Sequence, residues 1–100
     1  MATLGALAAL AAAGHLAPAW ADSSAAWCVF SRHDHTAPLE RGPCRWSQRQ
    51  GNVDIRFRSW AFRFPASEEG RTYTRLNREG PEAGPVFSRE GQYTLSLSAL

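Results

Sequence analysis

Among the 100 residues there is no lysine, and the first 21 carry neither an acidic nor an arginine side chain. All 11 basic side chains are arginine, spread from Arg32 to Arg89, and with nine acids they leave a net charge of +2. Nucleic-acid binders gather their cations into a stripe or patch, and these are dispersed, so no nucleic-acid partner is expected. The missing lysine reads as a coding bias toward GC-rich arginine codons. Beyond residue 21 no apolar run approaches the roughly 18 residues that a membrane span requires. No Gly-x-Ser-x-Gly elbow occurs, which removes the best-marked hydrolase turn. Cys-x-x-Cys is absent too, and with it the short-spaced thiolate pair of a structural zinc site.

What is present begins with a leader. Residues Leu4 to Ala13 form an apolar segment, and small residues at Ala19 and Ala21 precede the polar run Asp22-Ser23-Ser24. Together these have the pattern of an h-region and a signal peptidase site, although the α-amino group of Met1 is the one positive charge before them. The expected organisation is a signal peptide over residues 1–21 and one small domain over residues 22–100, periplasmic or secreted, with no membrane span after cleavage. Cys28 and Cys44 then reach an oxidising compartment and are expected to form one disulfide. Closing residues 28 to 44 into a ring is worth roughly 3 kcal/mol, a large share of the stability of a domain near the minimum size for an unaided core.

From Ala26 onward the residues alternate with the period of strands, with turn signals every eight to twelve residues. Trp27 to Phe30 reads as a strand, His33 to Gly42 as a polar loop, and Cys44 as the start of a second strand. Gly51-Asn52 is the expected two-residue hairpin connection. Val53, Ile55 and Phe57 then alternate with Asp54, Arg56 and Arg58, and Trp60, Phe62 and Phe64 repeat the pattern until Pro65. Arg71 to Leu76 reads as a fifth strand, and Val86 to Ser88 with Tyr93 to Leu97 as a last hairpin. The fold class is all-β: an antiparallel meander of six or seven short strands, curled into a small barrel or sandwich with one disulfide.

Cys28 with Gly42-Pro43-Cys44-Arg45-Trp46-Ser47-Gln48-Arg49-Gln50-Gly51-Asn52-Val53 resembles a pattern in small exported bacterial β proteins of uncharacterised function. The resemblance implies export, a disulfide and a β fold. It implies no activity.

Three features bear on function. His33-Asp34-His35 would place two imidazoles on one face of an extended segment, a weak metal candidate with Glu40 as the nearest further acid, and the seed of an alternative reading as a small metal-dependent or hydrolytic enzyme. Trp27, Trp46 and Trp60 belong to a large aromatic set that is mostly core. Trp46 beside the disulfide is expected to pack, or else to stand out as a stacking platform for sugar rings. Arg45, Arg49, Arg56, Arg58 and Arg63 share the outward parity of two hairpins. Arg45, Arg49, Arg56 and Arg58, with Trp46 and Asn52, make the candidate binding surface, because guanidinium forks pair well with carboxylates and phosphates. The leading expectation is a non-enzymatic binding or inhibitor-type module without a cofactor, acting on an envelope protein or glycan.

Overall fold

The structure, a computed structural model, describes residues 23–100, so the expected leader and its boundary at Ala21 lie outside the described residues. Alternating side chains give β1 (Ser23–Arg32), β2 (Glu40–Arg49), β3 (Asn52–Phe57) and β4 (Trp60–Phe64) one apolar and one polar face each. Three more strands follow, β5 (Thr74–Arg78), β6 (Gly84–Arg89) and β7 (Tyr93–Ser98). All seven pair antiparallel in one sheet of order β4-β3-β2-β1-β7-β6-β5. The first strand therefore lies at the centre, and β4 and β5 are the two edges. The sheet curls into a half-barrel, so the expected all-β meander is present as one layer that is neither closed nor doubled.

The concave face carries the core. Val53, Ile55 and Phe57 are buried as their parity predicts, and so are Cys44 and Trp46 on β2 and Leu95 and Leu97 on β7. Cys28 and Cys44 form the expected disulfide, with Cα atoms 5.8 Å apart. Cys28 is in register with Gly42 and Ala26 with Cys44, so the bridge runs diagonally between the two central strands.

Side chains do what a closing ladder would do between β4 and the β5–β6 side. Phe64 stacks on Phe87 with ring centroids 4.4 Å apart and meets Tyr73 edge-on at 5.0 Å. The Tyr73 hydroxyl donates to the Pro65 carbonyl at 2.8 Å and also reaches that of Phe64. Arg89 donates through Nη2 to the Arg63 carbonyl at 2.8 Å while its guanidinium lies over the Phe64 ring. The Arg63 carbonyl at the free edge of β4 is thus occupied, which removes part of an exposed edge that would otherwise recruit another strand.

Several boundaries differ from expectation. The β2–β3 turn is Gln50-Gly51, with φ of 55° and 84°, and Arg49 pairs with Asn52. A turn with two left-handed residues favours glycine in second place, so Gly51 closes the turn rather than opening it. The register moves by two, which leaves every side chain on its expected face. Strand β2 starts at Glu40, not Cys44, and takes in Gly42 and Pro43. Pro43 is tolerated because β3 ends at Phe57, so β2 has β1 as its one neighbour at that point. Strand β5 starts at Thr74 because Gly70 to Tyr73 form a turn closed by the Gly70 N–H on the Tyr73 carbonyl at 2.6 Å.

Two tests follow from this packing. Phe57→Ala removes a fully buried ring from the β3 stripe and should lower stability by about 3 to 5 kcal/mol in urea unfolding. The second concerns alkali. Burial pushes the Tyr73 phenol above its ordinary value, and the Glu69 carboxylate adds to the shift. A raised folded-state pKa gives stability that is complete below the unfolded value of about 10 and is lost as pH rises through the folded one. Tyr73→Phe should therefore flatten the alkaline fall in stability, at a cost near neutrality of about 0.5 to 1.5 kcal/mol per lost hydrogen bond. An unchanged alkaline profile in that variant would remove Tyr73 as its cause.

Candidate binding surface

The polar stripes of β1 to β4 meet on the convex side of the sheet, where registers fix which residues adjoin. One row across the four strands reads Ala25, Arg45, Arg56, Ala61. Two guanidinium side chains therefore stand directly opposite each other between two alanines. Like charges in that relation destabilise a sheet, and among the described residues no carboxylate offsets them by an ion pair with either arginine. The next row, Ser23, Ser47, Asp54, Arg63, is balanced, because Arg63 Nε donates to Asp54 at 2.9 Å. On the other side of the arginine row Trp27 faces Pro43. Trp27 is 37% exposed, the most open tryptophan among the described residues.

The expected surface is thereby reduced to part of its members. Arg45 and Arg56 come together. Arg49 is exposed on the same face but lies four residues from Arg45, about 13 Å along the strand, beyond the balanced row. Arg58 leaves the face altogether. The chain turns after Phe57, and Arg58, at φ of 57°, folds back over the Phe57 ring and donates to the Arg41 carbonyl at 2.8 Å and to Glu40. Asn52 is engaged as well, since its side-chain oxygen accepts from the Ala66 N–H at 2.8 Å. That contact ties the hairpin tip to the segment after β4. Trp46 is no platform: it is 2% exposed, and its indole N–H donates to the Ser24 hydroxyl at 2.8 Å.

Trp27 is the residue that sequence reasoning passed over, by counting it with a largely buried aromatic set. The signal was available in its neighbour. Cys28 is tied into the core by the disulfide, and in a strand the adjoining side chain points to the opposite face.

The histidine cluster takes a different geometry from the extended segment expected of it. Strand β1 ends at Arg32, and His35 sits in a turn at φ of 57°. Asp34 accepts from the Thr36 backbone N–H at 3.0 Å and from its hydroxyl at 2.8 Å, and these bonds hold its carboxyl below the usual carboxylate range. His33 Nε2 lies 2.8 Å from the Thr94 hydroxyl. His33 and Asp34 are thus occupied locally, and no group of three His, Cys, Asp or Glu side chains that could hold a metal ion occurs among the described residues.

No family model, curated protein or solved structure matches the chain.

The opposed arginines give a direct test of whether this row serves stability. Arg45→Glu creates an opposite-charge cross-strand pair with Arg56 and should raise stability by about 0.2 to 1 kcal/mol in urea unfolding. A clear loss would mean that Arg45 holds the sheet together.

Proposed function

We propose that this chain is an exported, non-enzymatic binding module that presents the convex face of β1 to β4 to an acidic partner in the bacterial envelope. The observation that carries the reading is the Arg45–Arg56 pair. Two cations opposed without a carboxylate cost the fold something and stabilise nothing within it. An incoming carboxylate or phosphate turns that cost into a pair of charge-assisted hydrogen bonds, the strongest kind a protein surface offers. Export accords with the leader pattern of residues 1–21 and with a disulfide in the core, which belongs to an oxidising compartment. Size points the same way: a sheet of this length whose concave side is filled by its own aromatic rings has its outer face to offer.

The test uses the substitution already expected to leave folding intact or improved. The wild-type protein should retain envelope components that are released as salt rises, because exposed charge pairs are screened over about 10 Å at 0.1 M. Arg45→Glu should retain none of them, whereas Arg71→Glu, an exposed position outside this row, should retain all. Identical capture by wild type and Arg45→Glu would sink the reading.

A further inference from the structure

The convex face has a flat apolar member as well as its charges, and the registers say where it lies. Trp27 faces Pro43, so its two diagonal neighbours on β2 are Arg41 and Arg45, with Arg56 one strand further on. Among the described residues no guanidinium is stacked on Trp27, although rings on the concave side are covered by Arg32, Arg75 and Arg89. Arg41 and Arg45 likewise make no ion pair among the described residues. An open indole is therefore bracketed by two free forks about 13 Å apart along one strand. Ser98 lies opposite Trp27 on its other side, on β7, so the ring has a hydroxyl at its flank.

We propose that this face binds an acidic saccharide, one sugar ring stacking on Trp27 while the carboxylate or sulfate groups of neighbouring rings engage Arg41, Arg45 and Arg56. The inference rests on the binding-module reading and names its ligand class. An acidic peptide would satisfy the arginines equally well. It has no flat ring at each residue to cover an indole, and it makes less use of a surface rimmed by hydroxyls. Apolar ring faces and acidic substituents occur together, repeatedly, along an acidic saccharide chain. Alanines at positions 25 and 61 add no bulk at either end of the arginine row, which leaves an extended chain room to lie across the strands.

The experiment titrates the protein at low ionic strength with four probes: galacturonate hexasaccharide, heparin hexasaccharide, maltohexaose and hexaglutamate. Affinity is read by calorimetry, and contact by the shift of the Trp27 indole N–H resonance. Binding of either acidic saccharide, with the indole resonance moving and with Trp27→Ala and Arg45→Ala each weakening it by about tenfold, is the expected result. Galacturonate carries carboxylates alone and heparin carries both groups, so binding of heparin without galacturonate assigns recognition to sulfate. Failure of both acidic saccharides to bind, or maltohexaose binding as tightly as they do, overturns the inference. So does hexaglutamate matching them with Trp27→Ala without effect. In each of those cases the Arg45→Glu capture result decides separately whether the acidic-partner reading stands.

Discussion

The curl of the sheet depends on the seam where β4 meets Tyr73 and β6. The two edge strands, β4 and β5, are consecutive in the chain, so the segment between them ties one edge to the other, but no ladder closes the gap. If it stayed open, the rings of Phe62 and Phe64 would face water along one edge. Two opposed rings stacked 4.4 Å apart contribute about 0.5 to 1.5 kcal/mol beyond the area they bury. The Arg89 bond to the Arg63 carbonyl, with a charged donor, adds about 1.5 to 3 kcal/mol. Their sum is comparable with the whole margin of about 5 kcal/mol expected of so small a domain. The disulfide acts at the centre of the sheet order, on β1 and β2, so the two devices hold different parts of the same curl.

Arginine serves this fold in ways that lysine could not. On the concave side Arg32 lies over Phe30 and Trp60, Arg75 over Trp46 and Phe87, and Arg89 over Phe64 and Tyr73. A planar cation can lie flat on a ring and still use its edge, as Arg75 does in donating to Gln48 at 2.8 Å. An ammonium on a flexible stem offers a point charge and no plane. Whatever coding bias removed lysine, the consequence is a half-barrel whose mouth is roofed by guanidinium groups. The convex side uses the same residue for the opposite purpose, leaving the forks of Arg41, Arg45 and Arg56 unpaired.

The sequence made the strands and faces legible where alternation was strict. Val53-Asp54-Ile55-Arg56-Phe57 announces its buried side without ambiguity, and two cysteines in an oxidising context announce their bridge. What could not be read was long-range. Nothing in the local pattern of Arg58 shows that its guanidinium returns to Arg41, or that Asn52 will meet Ala66 across 14 residues. The opposition of Arg45 and Arg56 needed the turn at Gln50-Gly51 to be placed correctly. With Gly51-Asn52 as the turn, the pair would have been displaced by two residues and the empty row missed. The extended geometry expected of the histidines is absent for a local reason, because β1 ends at Arg32 and the chain turns through His35.

Both sulfurs of the disulfide belong to residues that are almost fully enclosed, Cys28 at 0% and Cys44 at 5% exposure. Thiol exchange proceeds by attack of a thiolate on an accessible sulfur, so enclosure shields the bond from reductants. The same enclosure imposes an order on biogenesis. Thiols at these positions are open to an oxidant while the chain is unfolded and enclosed once it has folded, which favours oxidation of the β1–β2 pair while the strands around it are still loose. A chain that curls first would bury two reduced thiols and have to reopen to be oxidised. Formation of the bond is therefore timed against folding, by how fast β4 finds Tyr73 and β6.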